Sequence, residues 1–242
     1  MLAHDFTKTP VESGYTQPKL DGIRCIIDKN GMHTRGGKPI NSCPHIWESV
    51  KHIIKANPNV VLDGELYNHK LKSDFQKIIS LVRKVKCRPE EIAESAELVE
   101  YHIYDMFDRN DEDAVFTDRS QWLADNVAGN KIVLVKTTKC KDIAKIDNMY
   151  GNYTEAGYEG QMIRQNNKYE CKRSKGLLKR KEFITEEFDV VDVEEGQGAW
   201  TGYAKKFVLE LPDGRVFSSG VKGSQAQLKE LIEAKQKPNS AT

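Results

Sequence analysis

The stretch Gln17-Pro18-Lys19-Leu20-Asp21-Gly22-Ile23-Arg24 decides how the chain is interpreted, because it puts one lysine beside a turn and a strand. Cys25-Ile26-Ile27 follows as a short apolar run, which predicts a buried strand over 22–28. Asp-Gly pairs favour turns, so we expect Lys19 at the mouth of a sheet. Two interpretations stay open here: a solvated surface lysine, which spacing alone favours, or a nucleophilic amine beside a nucleotide phosphate.

The composition excludes several classes of protein. The chain has 242 residues, enough for one large domain or two smaller ones, with a formal net charge of +1 and 30% charged residues. No apolar run approaches the length of a membrane span, and the N-terminus lacks the features of a signal peptide. The five cysteines form no CxxC pair, which argues against zinc and a disulfide framework. We expect a soluble monomer of the reducing cytoplasm, or of the host cytoplasm if the source is viral, without membrane contact.

Apolar periodicity predicts alternating helices and strands over most of the chain. Residues 1–18, with two prolines, are expected to form a lead-in loop, and Lys29-Asn30-Gly31 predicts a hairpin turn. Residues 89–97 form an acidic, polar segment without a clear period. The other predictions are helices over 44–56, 73–86, 117–128, 141–156 and 225–235, and strands over 60–62, 98–105, 132–135 and 158–164.

Carboxylates stand beside two of the predicted strands. Val60-Val61-Leu62 leads into Asp63-Gly64-Glu65, which puts two carboxylates on the same side of a strand end. Such a pair can bind a ribose hydroxyl and take part in a metal site, although an ordinary turn is the commoner explanation. Glu159 begins the predicted strand 158–164 and, taken alone, is most simply a surface charge.

The densest positive patch lies in residues 168–181. Within it, Lys179 and Lys181 share one face of a strand-like run, with Leu178 and Arg180 on the other. A basic run is usually a solvated surface, but two lysines beside an apolar neighbour are suited to gripping a triphosphate.

Two single residues also allow two explanations each. Arg35 precedes Gly36-Gly37 and is either a donor to a phosphate backbone or an exposed hairpin arginine. Tyr104 is either a platform that stacks on a base or a buried strand tyrosine.

The pattern changes after residue 182, where strands and one short helix replace the mixed pattern. Pro212-Asp213-Gly214 between two apolar runs is a strong hairpin signal. We therefore expect a hinge at 183–188, with one domain over 1–184 and a small β domain over 185–242 that is too small to be stable alone.

Taken in order, these stretches resemble the motif set of the covalent nucleotidyltransferases, which include ATP-dependent DNA ligases, RNA ligases and mRNA capping enzymes. Over essentially its whole length the chain looks most like the small viral or bacteriophage-type ATP-dependent DNA ligases. The stretches are Lys19-Leu20-Asp21-Gly22-Ile23-Arg24, Arg35-Gly36, Asp63-Gly64-Glu65, Tyr104-Asp105, Glu159-Gly160-Gln161-Met162-Ile163-Arg164 and Lys179-Arg180-Lys181. The resemblance implies an α+β fold, in which a nucleotidyltransferase (ATP-grasp-like ligase) domain of antiparallel sheets and helices precedes a short or truncated OB-fold β domain.

The resemblance also implies a mechanism in which Lys19 attacks the α-phosphate of ATP, releases pyrophosphate and holds AMP as a phosphoramidate. A free lysine amine, with a pKa of about 10.4, is almost all ammonium at neutral pH, so the nucleophile needs help to lose its proton. The expected helpers are Lys179, Lys181 and a bound cation. At the nucleoside, the resemblance implies Tyr104 against adenine, Gln17 at the adenine edge, Glu65 on a ribose hydroxyl, and Arg24 near the ribose and the attacking strand end. It also implies Glu159 with Asp63 and Glu65 at Mg²⁺, and Lys179 and Lys181 on the phosphates.

By the same resemblance, AMP passes to the 5′-phosphate of a nick in duplex DNA and is displaced by the adjacent 3′-hydroxyl. The residues expected to hold the duplex are Arg35, Arg164, Lys172, Arg173 and Lys175. No separate DNA-binding domain precedes Lys19, and the family's last motif, which orients pyrophosphate, has no match. We therefore expect a minimal ligase.

Two other functions stay open. One is an RNA ligase or a GTP-dependent capping-type nucleotidyltransferase, although Arg24 stands where the RNA-ligase branch has a small hydroxyl residue. The other is a catalytically impaired module that binds nucleic-acid ends or nicks, which the intact lysine and carboxylates argue against.

Overall fold

The structure is a computed structural model, and it describes residues 1–181 and 186–236. The chain divides into two compact units, Met1–Glu182 and Phe183–Thr242. The expected boundary between 184 and 185 and the expected hinge at 183–188 fall partly outside the described residues, so both stay predictions. No helix in the described ranges is long and apolar enough to cross a membrane.

The first unit contains two five-stranded sheets and five helices in its described part. In chain order its elements are β1 (Leu2–Asp5), β2 (Gly14–Lys19), β3 (Ile23–Asp28), β4 (Gly31–Thr34), α1 (Pro44–Ala56), β5 (Val60–Tyr67), α2 (Phe75–Val82), α3 (Pro89–Leu98), β6 (Glu100–Asp108), α4 (Phe116–Asn126), β7 (Ile132–Leu134), β8 (Thr138–Cys140), α5 (Ile143–Glu155), β9 (Gly160–Arg164) and β10 (Arg173–Lys181).

Each sheet has its own hydrophobic core. The first sheet has the strand order β1-β10-β9-β2-β8, and Ile146 of α5 packs on Ile163 and Leu178 from its strands. The second has the order β4-β3-β5-β6-β7, and its larger core includes apolar residues of α1, α2 and α4. In both sheets the antiparallel pairs outnumber the parallel ones, as the α+β prediction requires.

The turn Leu20-Asp21-Gly22 joins the two sheets, since β2 belongs to the first and β3 to the second. Gly22 is needed there because a Cβ atom at this position would lie 2.4 Å from the carbonyl oxygen of Leu66. Lys19, the last residue of β2, is therefore held at the point where the chain crosses between sheets.

Two of the sequence predictions are wrong, and one helix was not predicted. Residues 1–18 contain β1 and β2 rather than a lead-in loop. Pro18 lies in β2, where it pairs with Gln161 of β9, whereas β8 on the other side pairs only with residues 14–16. Asp63-Gly64-Glu65 lies inside β5, which continues to Tyr67, rather than at a strand end. Residues 89–98 form helix α3, whose composition is too polar to show a period.

The second unit is described over residues 186–236. It contains β11 (Asp189–Glu195), β12 (Ala204–Glu210), β13 (Val216–Gly220) and α6 (Gln225–Gln236), with the strands in antiparallel order β11-β12-β13. Leu228 and Ile232 of α6 pack with Ala204, and the predicted hairpin at 212–214 joins β12 to β13. These described strands do not close a barrel, so the assignment to a short OB fold stays a prediction.

We predict that Gly160→Ala lowers the free energy of unfolding by about 1–3 kcal/mol, because the added methyl overpacks a sheet interior. The new Cβ would lie 2.2 Å from the carbonyl oxygen of Arg180, and the backbone of Gly160 has a φ of +152°. Gly151→Ala is the matched control: it lies in α5 with open space around it, and should gain about 0.5–1 kcal/mol. Urea unfolding of both variants measures the difference. A Gly160→Ala variant as stable as the wild type would contradict the packing described.

Candidate nucleotide site

A cavity of about 530 Å³ is lined by residues from both sheets of the first unit. Strands β1, β2, β9 and β10 contribute from one sheet, strands β3 to β6 from the other, and helix α2 adds part of the wall. The sequence-predicted residues in the lining are Gln17, Lys19, Arg24, Arg35, Glu65, Tyr104, Arg164 and Lys179. Residues far apart in sequence thus meet at one concave surface.

Lys19 and Lys181 share one carboxylate. Strand β9 runs between β2 and β10, so Gly160 is opposite Lys19 on one side and opposite Lys181 on the other. The backbone N–H of Glu159 donates to the carbonyl oxygen of Lys19 at 3.1 Å. Its side chain then accepts from the Nζ of Lys19 through Oε2 and from the Nζ of Lys181, at 3.3 Å, through Oε1. Glu159 therefore bridges the two lysines.

Three cations in the cavity lining have no hydrogen bond or ion pair to their side chains in the described part of the chain. Lys179 is half-buried on the cavity face of β10, while Arg35 and Arg83 are exposed. Leu178 and Arg180, on the opposite face of β10, pack against the core and against Phe6, which agrees with the predicted alternation. Among the described residues, the lining therefore carries three cations without an ion pair. Arg83 was not expected in the site, because a basic residue at a helix end is favourable on electrostatic grounds alone.

Asp21 is the carboxylate that lies near Glu159. Partial burial raises the pKa of Asp21, and the charge of Glu159 raises it further, against the lowering effect of Lys19 and Lys181. Asp21 was quoted in the lysine motif but not expected in the site, although its spacing of two residues from Lys19 is the available signal. No group of three or more His, Cys, Asp or Glu side chains in the described residues is arranged to hold a metal ion.

Asp63, one of the residues expected at the metal, is engaged by two other side chains. It is 3% exposed, and its two oxygens accept from the Nε and Nη2 of Arg24 at 2.8 and 2.7 Å. The hydroxyl of Tyr169 donates to the same carboxylate at 2.8 Å. These bonds hold Arg24 in the cavity lining, and the role of Asp63 at a metal stays a prediction. Tyr169 was not identified from the sequence, which contains no signal for this contact.

Glu65 and Tyr104 lie together on the wall formed by the second sheet. The hydroxyl of Tyr104 is 3.4 Å from Oε2 of Glu65, and both residues line the cavity. Burial raises the pKa of Glu65 to about 8, despite the opposing charges of Lys19 and Arg24. The protonated carboxyl can therefore donate a hydrogen bond at neutral pH, as well as accept one.

Gln17 and Arg164 are both buried, at 2% and 3% exposure, in one hydrogen-bonded network. The amide nitrogen of Gln17 donates to the carbonyl of Tyr104 and to Thr137, and its oxygen accepts from Nε of Arg164 at 2.8 Å. Arg164 also donates from Nη1 to the buried Asp105 at 2.6 Å. The amide donors of Gln17 are thus engaged within the protein and Arg164 is buried, and the roles of Gln17 at the adenine edge and of Arg164 on DNA stay predictions.

The remaining basic residues expected to bind DNA are exposed and lie at the start of β10, outside the cavity lining. Lys172 forms an ion pair with Glu170 at 3.1 Å, and Arg173 donates to the carbonyl of Ala3. Lys175 has no partner in the described ranges. Their role on DNA stays a prediction.

The cavity offers an amine held by one carboxylate, cations suited to phosphates, and a tyrosine beside a carboxyl whose pKa is raised. This arrangement is that of a covalent nucleotidyltransferase, in which a lysine takes up a nucleotide. The family model described as "ATP dependent DNA ligase domain" matches residues 1–181, and the chain belongs to this family.

Two curated relatives are DNA ligases. The chain is 24% identical over 209 residues to the DNA ligase of Haemophilus influenzae, a match that covers 82% of this chain and 69% of that protein. It is 30% identical over 211 residues to the DNA ligase of Archaeoglobus fulgidus, covering 81% of this chain but only 37% of that protein.

Solved structures share the fold. A structure from a study of Lig E DNA ligases, described there as a minimal scaffold for DNA binding, has a TM-score of 0.79 at 22% identity and covers 95% of this chain and 86% of that chain. Chlorella virus DNA ligase-adenylate has a TM-score of 0.57 at 20% identity and covers 98% of this chain and 88% of that one.

These comparisons confirm the predicted family, an ATP-dependent DNA ligase with viral relatives in fold, and the predicted mixed α and β architecture. They do not favour the RNA ligase, the capping-type enzyme or the impaired binding module.

Proposed function

We propose that this chain, acting as a monomer in the cytoplasm, seals nicks in duplex DNA with ATP and carries AMP on Lys19 between the first two steps. The observation that carries the proposal is the bridge of Glu159 between Lys19 and Lys181 at the edge of a cavity with unneutralised cations. An amine that is fixed in position, and that has phosphate-binding cations beside it, is what an attack on a nucleotide needs.

In the first step, Nζ of Lys19 forms a bond to the α-phosphorus of ATP, and the bond from that phosphorus to the pyrophosphate oxygen breaks. The amine must first lose a proton to free its lone pair. Glu159 accepts an N–H of Lys19, which holds the ammonium in place before ATP is engaged. Attack therefore requires Lys19 to leave this ion pair, and Lys181 can keep Glu159 paired when it does.

Phosphate charge is met by the free cations. Lys179 lines the cavity and forms no hydrogen bond or ion pair in the described residues, so its ammonium is available to the triphosphate. Hydrogen bonds between a cation and a phosphate are stronger than neutral ones, and fixed cations stabilise the charge that builds on the leaving group. Arg35 and Arg83 extend this positive surface to the rim of the cavity.

The base and ribose are assigned to the wall that contains Tyr104. The Tyr104 ring can stack on adenine, and Glu65 can bond a ribose hydroxyl as donor or acceptor because of its raised pKa. Arg164 lines the cavity with its guanidinium carbon 5.4 Å from the centre of the Tyr104 ring. Its Nη2 has no hydrogen-bond partner in the described part of the chain, so we assign it to an acceptor on the base edge.

Asp21 and Glu159 fit a divalent cation of the hard, oxygen-preferring kind. Mg²⁺ is commonly bound through one or two carboxylates together with substrate phosphates and water, so two neighbouring carboxylates beside a phosphate site suffice. When bound, Mg²⁺ would neutralise charge on the phosphate oxygens. Glu159 would then have two roles, because its carboxylate also forms the ion pair with Lys19.

In the later steps, AMP passes to the 5′-phosphate of the nick and the 3′-hydroxyl displaces it. Arg24, held by Asp63, is oriented into the cavity and is our candidate contact to the reacting strand end. Lys172, Arg173 and Lys175 are our candidates for contacts to the duplex backbone, which should weaken with salt and depend little on sequence.

For the metal site, we predict that Asp21→Asn and Glu159→Gln each raise the Mg²⁺ concentration that half-saturates self-adenylylation, by about tenfold or more. Asp63→Asn is the control. It should lower stability, because it weakens a buried ion pair, yet leave the Mg²⁺ midpoint unchanged at a temperature where the variant is folded. If the Mg²⁺ midpoint shifts more in Asp63→Asn than in the other two variants, Asp63 rather than Asp21 belongs to the metal site.

Sealing of a nicked DNA duplex, followed on a denaturing gel, tests the function itself. We predict a joined strand with ATP and Mg²⁺, no product with GTP, and no product from Lys19→Arg. A preference for GTP would identify a capping-type enzyme, and a preference for RNA nicks would identify an RNA ligase. Binding of nicked DNA without any transfer of AMP would identify a binding module.

A further inference from the structure

The loop between α2 and α3, residues 83–88, presents an apolar side chain to water among cations. Its sequence is Arg83-Lys84-Val85-Lys86-Cys87-Arg88. Val85 is 86% exposed, more than any other exposed large apolar side chain in the described residues. The whole chain has a net charge of only +1, so four cations in six residues are a strong local concentration.

Glu91 of α3 fixes the conformation of this loop. Its Oε1 accepts from Lys84 at 2.7 Å and from Nη2 of Arg88 at 2.9 Å, and its Oε2 accepts from the backbone N–H of Arg88 at 2.9 Å. The cations on both sides of the tip are therefore tied to one carboxylate. Lys86 is exposed and has no hydrogen bond or ion pair to its side chain in the described ranges, and Val85 stands beside it.

The loop starts at the nucleotide cavity. Arg83, its first residue, lines the cavity together with Phe75 of α2, and Arg35 from the β4 side is in the same lining. A ligand that reaches from the cavity along this rim meets Arg83 first and then the exposed tip. The only extended polyanion that the proposed function brings to this cavity is the DNA strand that carries the nick.

We propose that the loop docks on the DNA duplex beside the nick, with Lys86 on a backbone phosphate and Val85 against the carbon edge of a deoxyribose. This inference rests on the proposed function, because DNA is the ligand it names. The two contacts differ in physical kind: the lysine contact releases counterions and depends on salt, whereas the valine contact buries apolar surface and does not. Neither residue was among those that the sequence motifs assign to DNA.

The test measures binding of a nicked, fluorescent duplex by the adenylylated full-length chain across a range of salt concentrations. Lys86→Ala should weaken binding several-fold and reduce the salt slope by about 0.9, the value for one phosphate contact. Val85→Asp, which puts a negative charge beside the phosphates, should weaken binding about tenfold or more. Lys145→Ala, which removes one exposed lysine of α5 outside the cavity lining, is the control and should bind as the wild type does.

Self-adenylylation without DNA separates this inference from the proposed function. All three variants should form the AMP adduct at the wild-type rate, since these side chains are exposed and outside the cavity lining. Wild-type affinity and salt slope in both loop variants would overturn the docking of the loop while leaving nick sealing intact. If the wild-type chain forms the adduct but does not bind the nicked duplex, the proposed function fails, and the loop inference fails with it.

Discussion

The site depends on the close approach of three strands at one glycine. Because Gly160 has no side chain and β9 lies between β2 and β10, Lys19 and Lys181 are fixed on either side of the same backbone position. Glu159 precedes that glycine and is tied by its backbone to Lys19, so its carboxylate reaches both amines. The sheet thereby holds Lys19, Glu159 and Lys181 side by side, although they come from distant parts of the sequence.

Buried ion pairs hold two arginines of the cavity lining in place. Asp63 holds Arg24, and Asp105 holds both Arg119 and Arg164, each with short hydrogen bonds and little exposure of the carboxylate. Burying ions costs solvation free energy that the pairing offsets only when the geometry is good, so such pairs are poor sources of stability. Their effect here is to fix orientation. Arg24 and Arg164 are kept in the cavity lining by carboxylates, of which Asp63 was expected at the metal on sequence grounds.

Much of the fold could be predicted from local pattern. Helix α1 has the bounds that its apolar period predicts, and the β3–β4 hairpin follows its Asn-Gly turn. The polar strands β1 and β2 and the acidic helix α3 were missed, because tertiary pairing rather than local apolar period stabilises them.

Most of the site residues could be identified from the order of the motifs in the sequence. Their hydrogen-bond and ion-pair partners could not. Asp63 and Glu65 look equivalent in the motif. Of the two, only Asp63 accepts hydrogen bonds from Arg24 and Tyr169. Arg164 ends a motif strand and looks exposed until its contacts with Gln17 and Asp105 are known. Cross-strand register decides which ion pair a charged residue forms. That register cannot be predicted from the local sequence.

The central claim is that Lys19 is the amine that carries AMP. The most direct measurement is mass spectrometry of the intact chain after incubation with ATP and Mg²⁺ and without DNA, followed by peptide mapping under conditions that preserve the phosphoramidate. The account predicts one adenylyl group per chain, on the peptide that contains Lys19, with conversion back to the free lysine when pyrophosphate is added. An adenylyl group on Lys179, on Lys181 or on any other residue, or a chain that stays unmodified, would contradict it.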